Sequence, residues 1–258
     1  MASVDREDSK EDSKKAPLYA VLGASGGIGT AVSRALSAQG AHVALAGRRI
    51  DVLSTLADEL AGVPFEVDAT KFDEVDDFLN EVANLPWTFR GVVNCVGSLL
   101  LKPAHLTSEK EFYEVVQTNL SSAFAAVRSG VKHLRRDGGS IVLMASAAAS
   151  IGLPNHEAIA AAKAGIAGLT RSAAATYASK GVRINAVAPG LVRTPMTERI
   201  TRSPNALEAS TALHPLGRIG EPEEVAGLVC WLLTEESSWV TGQVWGMDGG
   251  LSALKARV

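Results

Sequence analysis

Residues 18–40 read LYAVLGASGGIGTAVSRALSAQG, and this stretch decides how the rest of the chain is read. Its opening residues are apolar and stop at Gly23, the pattern of a short strand buried on both faces of a parallel sheet. Ile28, Val32, Ala35 and Leu36 then recur at helical spacing until Gly40 ends the run. Between the two lies GASGGIG. Its glycines Gly23, Gly27 and Gly29 let the backbone turn tightly and approach a pyrophosphate, and the helix start behind them offers free N–H groups and positive potential. Glycine also marks ordinary turns, so the triplet alone is a weak signal. Its place between a strand and a helix makes it read as a dinucleotide-binding loop.

The same alternation continues outward. HVALAG (42–47), PFEVD (64–68), GVVNCVG (91–97), SIVLMAS (140–146), RINAVAPG (183–190) and GQVWGMDGG (242–250) read as strands. IDVLSTLADEL (50–60), FDEVDDFLNEV (72–82), a long region at 108–136, the segment holding Lys163 and PEEVAGLVCWLL (222–233) read as helices. The alternation predicts an α/β fold: a Rossmann-like doubly wound parallel sheet with helices on both faces, one domain over 16–258. Residues 1–15, MASVDREDSKEDSKK, are almost all charged or small, and read as a disordered tail. Residues 194–222 have weak periodicity. They follow the carboxyl end of a strand, where such sheets bind ligands, and read as a lid; the alternative is a surface excursion.

Bulk properties narrow the partners. The chain has 258 residues, 47% hydrophobic and 21% charged, enough for one large core. A net charge of −3 gives no reason to expect nucleic acid or an anionic membrane as partner, so a small-molecule substrate is expected. Cys95 and Cys230 cannot build a disulfide framework and read as core residues, which fits a reducing compartment and a cytoplasmic protein. The histidines and cysteines form no cluster at metal-ligand spacing, and no apolar run is long enough for a membrane span.

The second strand ends AGRRID. Gly47, Arg48 and Arg49 stand where a user of NAD normally carries an acid for the ribose 2′-hydroxyl. No carboxylate there repels a 2′-phosphate, and two guanidinium groups can pair with one. Arginine is disfavoured at a helix start by the helix dipole, so the pair reads as functional rather than as two solvated side chains. The expected cofactor is NADP(H).

With these features the chain resembles the short-chain dehydrogenase/reductase family, from about residue 16 to 252. GASGGIG looks like that family's cofactor loop, which brings Ser25 and Ile28 to the cofactor with the glycines. NCVG, with Asn94 and Gly97, looks like the motif beside the adenine and ribose, and Asp68 and Ala69 stand where the family meets adenine. PGLVRTPM, with Pro189, Gly190, Val192 and Thr194, looks like the segment that receives the nicotinamide carboxamide. The resemblance makes Asn119 the asparagine that holds a relay water by Lys163, Ser146 the serine that bonds the substrate oxygen, and Lys163 the cofactor-ribose lysine. VTGQVWGMDGG looks like the family's last strand, often part of a tetramer contact, so the resemblance implies a homotetramer or homodimer.

The departure lies in HEAIAAAK (156–163). The family pattern is Tyr-x-x-x-Lys, and Ile159 stands at the tyrosine's place. Ser146 keeps its usual spacing from that place, so the register has not slipped. Tyr177 lies well past the lysine and Tyr113 far before it. An isoleucine cannot protonate an alkoxide, and a positioned acid is worth about 10²- to 10⁴-fold. His156 is a candidate substitute. Seven residues span about 700° on a helix, which would put it on the Lys163 face about 10 Å away. Its neutral ring has one N–H able to donate to an oxyanion. HEAIAAAK is also similar to the Tyr-x-x-Met-x-x-x-Lys of enoyl-thioester reductases in the superfamily, with His156 in place of that tyrosine. The alternative makes His156 only the first residue of a helix capped by Asn155.

Two functions follow. One is an NADPH-dependent oxidoreductase acting on a hydrophobic carbonyl or a conjugated enone or enoyl substrate, since Ser98–Leu101, Ile151, Leu153 and Leu191 suggest an apolar wall. The other is a nucleotide-binding protein of the same fold without ordinary redox turnover, with a regulatory, isomerase or cyclase role.

Overall fold

The computed structural model describes residues 16–255, so the charged segment at 1–15 lies outside the described residues. Seven strands form one sheet: β1 (Pro17–Leu22), β2 (His42–Gly47), β3 (Val63–Glu66), β4 (Thr88–Asn94), β5 (Gly139–Met144), β6 (Val182–Pro189) and β7 (Val244–Met247). Their order is β3-β2-β1-β4-β5-β6-β7, and every neighbouring pair is parallel. Strand side chains alternate between faces, and both faces are buried. Leu18, Ala20 and Leu22 of β1 enter one core cluster with Ile141 and Leu143 of β5. Tyr19 and Val21 enter the other with Val142 and Met144.

The first cluster is covered by α3 (Phe72–Ala83), α5 (Ser122–Leu134) and α6 (Glu157–Tyr177), the second by α1 (Gly27–Ala38), α2 (Ile50–Leu60) and α9 (Pro222–Leu233). α9 starts where the sequence places it, with Pro222 in its first turn and a capping box between Glu221 and Glu224. The strand order reverses beside β1 and β4, which opens the crevice where doubly wound sheets bind ligands.

Several elements differ from the sequence reading; β7, for one, spans only Val244–Met247 of the stretch 242–250. β4 begins at Thr88 rather than at Gly91, because Thr88 and Phe89 pair with Pro17 and Leu18 despite their mixed polarity. The region 108–136 is not one regular helix. α4 (Glu109–Val116) and α5 are joined by a wide π-type turn over Gln117–Ser121. The connection 194–222 carries α7 (Glu198–Thr201) and α8 (Pro204–Leu213), neither of which contains a fully buried residue. Among the described residues, no helix is long and apolar enough to cross a membrane, and no three His, Cys, Asp or Glu side chains cluster as a metal site would require.

Candidate active site

The loop after β1 packs against the loop after β4 with no room to spare. Gly23 has φ +78, and a Cβ there would lie 2.9 Å from the Val96 nitrogen. A Cβ on Gly29 would collide with the Gly23 carbonyl oxygen, so both positions need glycine. Gly26 precedes α1 without a side-chain cap, which leaves the first N–H groups of that helix available. Beside this loop runs a crevice of about 610 Å³, lined among others by Ser25, Arg48, Arg49, Asp68, Ala69 and Gly97. Arg49 donates from its guanidinium to the Ser25 carbonyl, so it crosses from the end of β2 to the glycine loop. Two cations, a free helix start and a cradle only glycine can line form a donor set that fits the phosphates of a nicotinamide dinucleotide. Burial works against ionisation of Asp68, but hydrogen bonds from the Thr70 nitrogen and hydroxyl hold its carboxyl below the ordinary value. Asn94 is buried under the crevice instead of lining it. Its side chain accepts from the Val96 nitrogen and donates to the Ser122 hydroxyl.

A smaller cavity of about 150 Å³ continues from the crevice. Asn119, Ser146, Ile159 and Lys163 all line it, as do Ile28, Pro189, Gly190, Val192 and Thr194. Lys163 is 8% exposed and donates from Nζ to the Met144 carbonyl oxygen at 2.7 Å. Its burial pushes its pKa down to about 8. Asn119 is fully buried; its amide oxygen accepts from the Ser98 nitrogen, and its Nδ2 donates to the Ser98 hydroxyl and to the Val115 carbonyl. The Ser146 hydroxyl accepts from the Ala148 nitrogen at 3.2 Å, which leaves its own proton to donate. Ile159 is 3% exposed and packs in a small cluster with Val115, Ala158 and Ala162, against Leu100 and Leu120.

His156 is not brought to this cavity. It is the residue before α6, with φ −106 and ψ 10, so the helical arithmetic does not apply to it. Its Nδ1 donates to the Pro154 carbonyl at 2.7 Å. A neutral ring then has only a lone pair on Nε2, which cannot donate to an oxyanion. The Asn155 side chain makes no cap hydrogen bond either; Asn155 has φ +62, and its carbonyl accepts from the Lys102 nitrogen.

The structure adds residues that the sequence reading passed over. Thr118, beside Asn119, lines the crevice, and Thr197 lines the inner cavity. Cys95, read from sequence as a core residue, instead lines both, at the place where they meet, and burial pushes its thiol up to about 12.

The family model described as enoyl-(acyl carrier protein) reductase matches residues 23–252, which span both cavities. The chain belongs to the short-chain dehydrogenase/reductase family. Among its curated relatives is the 3-oxoacyl-[acyl-carrier-protein] reductase FabG of Thermotoga maritima, 35% identical over 90% of this chain and 96% of that one. Another is the 3beta-hydroxysteroid dehydrogenase 1 of Eggerthella lenta, 32% identical over 93% and 95%. A solved short-chain type dehydrogenase/reductase from Mycobacterium ulcerans superposes with a TM-score of 0.89 at 31% identity, covering 95% of this chain and 92% of the other. A variant of the actinorhodin polyketide ketoreductase, solved with NADPH, superposes with a TM-score of 0.87 at 27% identity, covering 93% and 98%. These relatives are oxidoreductases. This short-chain dehydrogenase/reductase brings the serine, lysine and asparagine of its sequence pattern to one cavity, with a buried isoleucine as part of the wall.

Proposed function

We propose that this chain is an NADP(H)-dependent reductase that acts on a hydrophobic substrate with a conjugated enone or enoyl group, and more slowly, if at all, on an isolated ketone. The observation that carries this reading is Ile159, 3% exposed, in the wall of the cavity that Ser146 and Lys163 line. When bound, the nicotinamide supplies a hydride. What the chain must supply is a hold on the oxygen that becomes negative. Of the described residues lining the inner cavity, only Cys95 and Lys163 ionise. Cys95 stays a thiol because burial pushes it up to about 12. The oxyanion donors this reading uses are the Ser146 hydroxyl and the Lys163 ammonium, both in the wall that Ile159 shares. That set suits an enolate, whose charge is spread and whose carbon can take a proton from water, better than an alkoxide that needs an acid at once.

Arg48 and Arg49, with no carboxylate at the end of β2, support NADP(H) over NAD(H). By analogy with its family the enzyme works as a homotetramer or homodimer, which light scattering tests. The deciding experiment follows NADPH consumption over matched pairs, each an isolated ketone and its α,β-unsaturated counterpart. Turnover of the unsaturated partner alone supports the reading. Silence on every pair, with turnover restored by Ile159→Tyr, would replace it with a nucleotide-binding role without redox chemistry.

A further inference from the structure

The imidazole of His214 joins segments that the chain keeps far apart. It is 4% exposed and sits just past the end of α8. Its Nδ1 lies 2.7 Å from the Ser210 carbonyl oxygen, within α8, and its Nε2 lies 3.2 Å from the Leu191 backbone nitrogen. A carbonyl only accepts and a backbone N–H only donates. The ring is therefore neutral, with its proton on Nδ1 and its Nε2 lone pair turned to Leu191. Gly190 approaches so closely that a Cβ on it would lie 2.6 Å from Nε2. On another side the ring meets the turn after β7, where a Cβ on Gly249 would lie 3.6 Å from Cδ2. Leu191 belongs to residues 189–194, the loop from which Pro189, Gly190, Val192 and Thr194 line the inner cavity. The far end of the crevice is built from other segments: Arg48, Arg49 and Asp68.

We propose that His214 is the positioning residue for the nicotinamide end of the cofactor, holding the 189–194 loop over the cavity through the Leu191 N–H and tying that loop to α8 through Ser210. The inference rests on the cofactor reading above and adds to it a residue that touches neither cofactor nor substrate. A positioning role of this kind splits the cofactor in two: grip on the nicotinamide half depends on His214, and grip on the adenosine half does not.

The test measures dissociation constants for NADPH and for adenosine 2′,5′-bisphosphate, which carries the adenosine half alone, in the wild type and three variants. The amide oxygen of His214→Gln can stand where Nε2 stands and accept from Leu191. His214→Asn keeps a donor for Ser210 but does not reach Leu191, and His214→Phe keeps only ring volume. NADPH should bind about tenfold more weakly to the Asn and Phe variants, as befits one lost backbone hydrogen bond, and near the wild-type value to the Gln variant. Adenosine 2′,5′-bisphosphate should bind all four proteins within about twofold of one another. Equal weakening of both ligands, or NADPH binding by His214→Phe at wild-type strength, overturns the inference while leaving the cofactor reading in place. A wild type that binds neither ligand overturns the cofactor reading and this inference with it. The Gln variant keeps the test decisive if the Phe variant does not fold.

Discussion

The Lys163 ammonium donates across 2.7 Å to the carbonyl oxygen of Met144. The contact fastens α6 to the last residue of β5, two positions before Ser146, and holds the lysine out of water. Burial lowers its pKa from 10.5 to about 8. The folded chain thus gives up this proton more readily than the unfolded chain. Between about pH 8 and about pH 10.5 the unfolded state binds more protons, so stability rises with pH across that window. Below about pH 8 both states hold the proton, and the cost of burying the charge, on the order of 3 kcal/mol, is fully present. Urea unfolding at about pH 7.5 and about pH 9.5 should therefore show a gain in the wild type that Lys163→Met lacks. Parallel shifts in the two proteins would assign the pH dependence to other groups.

Ile159→Tyr should restore an acid to the cavity. Ketone reduction is expected to rise by about 10²-fold or more, read as NADPH oxidation. The same substitution forces a larger ring against Val115, Ala158 and Ala162, so the melting point should fall, consistent with ~1–3 kcal/mol of overpacking. A variant that folds, binds NADPH and still leaves ketones untouched would mean that Ser146 or Lys163 is not placed for substrate.

Cofactor choice is predicted to reside in two residues. Arg49 already bonds the Ser25 carbonyl at the glycine loop, and Arg48 lines the same crevice. Replacing both with aspartate removes charge-assisted bonds worth about 1.5–3 kcal/mol each and adds repulsion. NADPH should bind at least about 10²-fold more weakly, and NADH should be little affected or improve. Unchanged NADPH binding would place the 2′-phosphate elsewhere.

Gly97 lines both cavities. A Cβ there would lie 3.0 Å from the Asn119 amide oxygen and 3.5 Å from Lys163 Nζ. Gly97→Ala should disturb the Asn119–Ser98 pair, weaken cofactor binding by about tenfold and destabilise by about 1–2 kcal/mol. Gly152→Ala, where nothing lies within 4 Å of the new methyl group, serves as the control and should be near neutral.

Local signals carried most of the architecture. α1, α2 and α9 start and stop where glycines, prolines and apolar spacing put them. Ser146, Asn119 and Lys163 meet because each follows or faces the carboxyl end of a strand, which motif order already implied. What the sequence could not show is whatever long-range packing decides. Asp76 takes bonds from Arg128, Ser129 and Lys132 and clamps α3 to α5, with 52 positions between Asp76 and Arg128. His214 bonds Leu191 across 23 positions. His156 departs from the sequence expectation because it lies one residue before the helix, where helical periodicity no longer holds, and its Nδ1 bonds the Pro154 carbonyl.

The wide turn at Gln117–Ser121 has a consequence for how this site could drift over generations. The Asn119 side chain donates to Val115, the carbonyl four residues back that a regular helical N–H would use. The asparagine is thus a splint for its own helix as well as a wall of the cavity. At position 159 an isoleucine fills the wall with apolar contacts alone. Losing Asn119 leaves a gap in the helix backbone. A lineage with no use for proton chemistry could vary position 159 and would still keep Asn119 for folding.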